Sequence, residues 1–113
     1  MYRERLNEAE REQIRRCREE CRSISMLGEM IRMSGRTGEE RAELEAQRKR
    51  EQSRLTSRRQ RVQAYVAKLP DGVRGAIVRY YLYGWSRRQA AINAGISERT
   101  LYRVCRWVEG TEK

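Results

Sequence analysis

The stretch Ser86–Val108, SRRQAAINAGISERTLYRVCRWV, leaves the backbone few choices. Ser86 and Gln89 form an S-x-x-Q capping box that opens a helix. Ala90, Ala91 and Ala94 are small enough to let a second helix approach closely at a steep angle. Gly95 stands where the chain must turn, since a left-handed backbone is cheap for glycine. Ile96 plugs that turn and Ser97 caps the next helix. Leu101 and Val104 then face inward, with Trp107 or Val108 one turn later. This leaves Glu98, Arg99, Tyr102, Arg103 and Arg106 pointing outward. Two short helices with a basic outer face on the second are the pattern of a DNA-reading helix-turn-helix.

In the usual docking of that motif, the N-terminal part of the second helix enters the major groove. Arg99 and Arg103 each suit the O6 and N7 acceptors of guanine, and Glu98 suits cytosine N4. Tyr102 suits a thymine methyl or a phosphate, and Arg106, deeper along the helix, a phosphate. Arg87 and Arg88 open the first helix, which crosses the backbone. The expected DNA-binding set is therefore Arg87, Arg88, Ser97, Glu98, Arg99, Tyr102, Arg103 and Arg106. The plainer alternative is a helical hairpin packed through its alanines, with its arginines merely solvated.

Charge agrees with a polyanionic partner. The 113 residues carry a formal net charge of +10, and lysine occurs only at Lys49, Lys68 and Lys113. Arginine suits bidentate contact with phosphate and guanine. Charged residues make up 37 % of the chain and hydrophobic ones 38 %, a balance typical of long exposed helices. No apolar run is long enough for a transmembrane helix, and the charged N-terminus lacks a signal-peptide core. A cytoplasmic protein with no membrane partner is expected. Cys17, Cys21 and Cys105 then read as reduced thiols. Cys17 and Cys21 lie one turn apart, but with no histidine in the chain they read as small buried hydrophobes. No metal and no cofactor is expected.

Upstream, Ile14, Cys17, Cys21, Ile24, Leu27 and Ile31 recur every three or four residues, a single helical stripe within Tyr2–Met33. Ser34–Gly38 breaks it, and Thr37 with Glu40 makes a capping box for a second helix over Glu39–Leu69. Leu55, Val62 and Leu69 are seven apart, with Tyr65 and Val66 between, which resembles a short heptad seam. Farther upstream only Ala42, Leu44 and Ala46 are available to bury. Each helix would run about 45 Å and neither is stable alone in water. The short connection predicts an antiparallel hairpin, its stripes covered by a second copy or a partner.

Arg48–Arg61, RKREQSRLTSRRQR, sets seven basic residues against Glu51. It reads either as a phosphate-tracking stalk, with Arg54, Arg58 and Arg61 as auxiliary contacts, or as a face paired with Glu8, Glu10, Glu12, Glu19 and Glu20. Pro70 ends the second helix, Asp71 offers an N-cap, and a packing helix spans Asp71–Tyr83 with Val73, Ile77, Tyr80 and Tyr81 at helical spacing. Tyr80, Tyr81, Tyr83 and Trp85 read as core aromatics, Tyr83 as the most exposed. Met26, Met30 and Met33 read as contacts at the hairpin tip.

Residues 69–107 resemble the promoter-reading C-terminal domain of bacterial sigma factors. Leu69-Pro70, Arg74, Tyr81, Gly84, Ser97, Thr100 and Leu101 match that family's pattern. Where family members open the motif's first helix with a glutamate and an E-I-A-like run, this chain has Arg88-Gln89-Ala90-Ala91. Joined to a charged helical N-terminal region, the whole is similar to small phage and prophage transcriptional regulators. The resemblance implies promoter binding, with RNA polymerase as a candidate partner.

The expected protein is all-α: an N-terminal antiparallel, coiled-coil-like helical hairpin (1–69) serving oligomerisation, a three-helix helix-turn-helix domain (70–109) and a frayed tail (110–113). A dimer formed through the hairpin would address two half-sites on double-stranded DNA. No residue set suggests an enzyme. Two rivals are the small DNA-recognition subunit of a viral packaging terminase and a protein that binds polymerase or a sigma factor without reading DNA.

Overall fold

The structure, a computed structural model, describes residues 2–33 and 38–111. Over these residues the chain is helical, with no strand. A 3-10 turn at Tyr2–Glu4 precedes α1 (Glu8–Arg32) and α2 (Gly38–Val66). Then come α3 (Asp71–Ile77), a π-helical turn (Val78–Leu82), α4 (Arg87–Ala94) and α5 (Glu98–Glu109). The capping box expected of Thr37 and Glu40 rests on a residue outside the described ones.

Local chemistry sets the boundaries. α1 begins at Glu8, later than its composition suggests, because Asn7 and Glu10 cap each other. The Asn7 side chain accepts from the Glu10 amide at 2.8 Å, and the Glu10 carboxylate accepts from the Asn7 amide at 2.9 Å. α2 ends at Val66, short of Leu69. The Lys68 and Leu69 amides bond back only three residues, to Tyr65 and Val66, tightening the last turn before Pro70. Pro70, not Asp71, takes the N-cap position of α3, and Asp71 instead pairs with Arg74 at 2.5 Å. The expected single helix to Tyr83 widens after Ile77, where the Tyr83 amide reaches back five residues to the Val78 carbonyl at 3.1 Å.

α1 and α2 run antiparallel. Lys68 meets Glu10 at 3.5 Å, Arg58 meets Glu20 at 2.5 Å, and Ser23 donates to Glu51 at 2.5 Å. The stripe on α1 does not wait for a second copy. Leu6, Ile14 and Cys17, with Leu55, Val62 and Val66 of α2, share one buried cluster with Tyr81, Leu82, Leu101, Val104, Trp107 and Val108. Cover expected from another molecule is thus supplied, for the lower half of the stripe, by the chain's own C-terminal helices. Toward the hairpin tip Leu27 and Ile31 of α1 are still buried, although α2 offers little there: Ala42 and Ala46 are exposed and Leu44 only half-buried. The molecule measures 53 × 25 × 24 Å.

Two glycines shape the surroundings of α4, one through its backbone angle and one through the space it leaves. Gly95 has φ +72° and ends α4 in the left-handed region. At Gly72, in the first turn of α3, an added Cβ would stand 2.9 Å from Ile96 Cγ2, so any side chain there would have to displace the Ile96 that plugs the α4–α5 turn. Of the tail expected to fray, Gly110 and Thr111 are fastened to α5, and residues 112–113 lie outside the described ones. Gly110 caps α5 with φ +76°, and the Thr111 amide donates to the Arg106 carbonyl at 2.9 Å.

Candidate nucleic-acid interface

Ser86 opens α4 by accepting from the Gln89 amide at 3.2 Å. Ser97 opens α5 by accepting from the Thr100 amide at 3.0 Å, while its hydroxyl lies 2.9 Å from that of Thr100. Between them the Ile96 amide returns to the Ala91 carbonyl at 3.1 Å. Ala90 and Ala91 are buried, and Leu101, Val104, Cys105, Trp107 and Val108 fill the inner face of α5. Helical periodicity then puts Glu98, Arg99, Tyr102, Arg103 and Arg106 on one exposed arc.

The arginines of this surface are differently engaged. Arg88, Arg99 and Arg103 are exposed, and no ion pair with a described residue neutralises them. Tyr102, 46 % exposed, has the Arg87 guanidinium 5.3 Å and the Arg106 guanidinium 5.9 Å from its ring centroid. Its ring ties the start of α4 to the second half of α5. Arg106 also donates to the Thr111 carbonyl at 3.0 Å. Glu98 lies in the first turn of α5, where the helix dipole favours an anion.

On α2 the three auxiliary candidates separate. Arg54 and Arg61 are exposed. Arg58 turns into the α1–α2 contact, where it holds Glu20 at 2.5 Å and also donates to Gln13; the side chains of Arg58 and Glu20 are 16 % and 19 % exposed. For this arginine the pairing with α1 glutamates holds.

Four further arginines set the interface in place. At the end of α5, Arg11 donates to the Trp107 carbonyl at 3.0 Å and Arg15 to the Val108 carbonyl at 2.6 Å. Arg18 reaches the Tyr80 and Trp85 carbonyls at 2.7 and 3.0 Å, with its guanidinium 3.7 Å from the Tyr80 ring centroid. Arg59 takes the Leu82 carbonyl at 2.6 Å and lies over Tyr83 at 4.1 Å. Apart from that of Trp85, in the connection before α4, these carbonyls belong to the last turn of α5 or to the π-helical turn, where the helix leaves carbonyls short of partners. Spacing along the sequence gives no sign of these long-range bonds.

Of the aromatics expected in the core, Tyr81 is fully buried, donating its hydroxyl to Glu109 at 2.8 Å, and Tyr80 is half-buried. Tyr83 and Trp85, on either side of the left-handed Gly84, are both exposed. Met26, Met30 and Met33 are exposed along α1. Burial pushes the Cys17 thiol up to about 12 and raises that of Cys105, which keeps both protonated near neutral pH. Among the described residues no group of three or more acidic or cysteine side chains is arranged to hold a metal ion. No described helix is long and apolar enough to cross a membrane. Comparison with known proteins finds no matching family model, curated protein or solved structure.

Proposed function

We propose that this chain is a sequence-specific duplex-DNA binder acting in transcriptional control, in a phage or mobile-element setting. α3, α4 and α5 form the three-helix helix-turn-helix domain of residues 70–109, carried on the helical hairpin of residues 1–69. α5 enters the major groove. The observation that carries this is the exposed arc beginning at Glu98, where Arg99 and Arg103 have no carboxylate partner among the described residues and follow directly on the Gly95 turn and Ser97 cap. Arg99 and Arg103 face base edges, with Glu98 beside them, while Arg87, Arg88 and Arg106 face phosphates. Arg54 and Arg61 are free to add phosphate contacts from α2. The exposed methionines of α1 offer an apolar surface through which two copies pair.

The test is selection from a random duplex pool at ~0.15 M salt, where non-specific phosphate contacts are weakened. An enriched motif is expected, repeated about one helical turn away if two copies act together. Arg103→Ala should cost about 1–3 kcal/mol of discrimination at one position and relax the motif there. Binding with no enrichment, fading uniformly as salt rises, would remove the sequence-reading role.

A further inference from the structure

α1 lies beside α5, held by the bonds from Arg11 and Arg15 to its last carbonyls. Between the two helices an open cleft of about 570 Å³ is lined by Arg15, Arg18 and Arg22 of α1 and by Arg87 and Arg106. Glu19 and Glu109 also line it, and the Glu109 carboxylate already accepts from Tyr81. Positive charge is therefore in excess. Arg15 is matched by Glu8 at 2.8 Å, and Arg18 is spent on backbone carbonyls that bind it without cancelling its charge. Arg22, Arg87 and Arg106 have no carboxylate partner among the described residues, and all three are exposed.

Tyr102 lines the same cleft and holds two of these cations against one ring. Like charges gathered in this way repel one another. The ring quadrupole offsets part of the repulsion, and an anion bridging the guanidiniums would offset the rest. We propose that this cleft binds a phosphodiester of the duplex, with Arg22 of α1 joining Arg87 and Arg106, and with Tyr102 as the residue that positions those two. The proposal rests on the DNA-binding reading and deepens it. The helix-turn-helix is not the whole interface: α1 grips the backbone flanking the groove that α5 enters. Tyr102 then serves the phosphate rather than a thymine.

The experiment measures duplex affinity of the full chain against salt concentration. One phosphate contact contributes about 0.9 to the slope of log K on log salt, which is about fivefold in affinity at ~0.15 M relative to 1 M. Arg22→Gln is expected to weaken binding to every duplex by about fivefold and flatten the slope by about 0.9. Arg16→Gln removes the same charge from an exposed α1 arginine outside the cleft, paired with Glu12, and should leave both unchanged. Tyr102→Phe keeps the ring and should behave as the unmodified chain, whereas Tyr102→Leu should flatten the slope. Identical behaviour of Arg22→Gln and Arg16→Gln overturns the cleft while leaving the DNA-binding reading intact. A Tyr102→Leu chain that changes base preference at an unchanged slope overturns the positioning role. If the unmodified chain binds no duplex, the parent reading fails first.

Discussion

Ile14→Ala tests whether α1 and the C-terminal helices are one folding unit. Ile14 has no accessible surface and belongs to the cluster that includes Leu101, Val104, Trp107 and Val108. Truncating a buried isoleucine costs about 2–5 kcal/mol, because transfer and cavity terms add. An unfolding entropy of about 2.1 cal/mol/K per residue over 113 residues makes 1 kcal/mol worth about 4 °C. The melting midpoint should therefore fall by about 8–20 °C. Ile31, on the same stripe, lies outside that cluster, beside the side chains of Glu45, Arg48 and Gln52, which can close over a gap. Ile31→Ala should fall at the low end of that range, about 2 kcal/mol. The assay follows helix by far-ultraviolet circular dichroism and the core by Trp107 fluorescence, in a Trp85→Phe background that leaves one indole. The two probes should melt together, and Ile14→Ala should move both. A Trp107 midpoint left in place by Ile14→Ala, while the helix signal falls, would refute the shared core.

Gly95→Ala should destabilise by about 1–2 kcal/mol, although an added Cβ meets nothing within 4 Å, because φ is +72°. Chemical denaturation measures it, and a loss below ~0.3 kcal/mol would mean that the turn relaxes at no cost. Alkaline pH should destabilise the fold. The Cys17 thiol, ordinarily near 9, is pushed by burial up to about 12, so the unfolded chain releases that proton first. Stability is full below about 9 and falls from there toward about 12, with Cys105 and Tyr81 shifted in the same direction. Melting midpoints from pH 8 to 11 should fall less steeply for Cys17→Ala, and parallel curves would remove Cys17 from the effect.

The features legible in the sequence are those whose causes lie within a few residues. Ser86, Gly95 and Ser97 each act across one helical turn, so their caps and the left-handed bend follow from residue type alone. The exposed arc of α5 follows from period 3.6 once Leu101 and Val104 are placed inside. Beyond that range the sequence gives less. Arg11 finds its carbonyl 96 positions away and Arg18 finds its own 62 and 67 positions away, and nothing local marks either from a solvated arginine. The Asn7–Glu10 box is local and was readable, but the apolar phase drifts at Leu6 and Ala9 and hides the start of α1. The cover over Ile14 depends on where α5 packs, which periodicity leaves open.

The basic excess therefore does two kinds of work, and net charge measures only their sum. Arg11, Arg15, Arg18 and Arg59 point inward to backbone carbonyls. Arginine suits that task better than lysine, since its weaker hydration makes partial burial cheaper, and Arg18 reaches both of its carbonyls through Nη1 alone. Arg22, Arg87, Arg88, Arg99, Arg103 and Arg106 face outward around α5 and its flank. The inward group aligns the outward one: removing the Arg15 or Arg18 bonds would free α5 or the Tyr83–Ser86 connection from α1 and separate Arg22 from Arg87 and Arg106. On the proposed DNA-binding reading, the grip of the surface depends less on how many arginines the chain carries than on the carbonyl bonds that keep Arg22 beside Arg87 and Arg106.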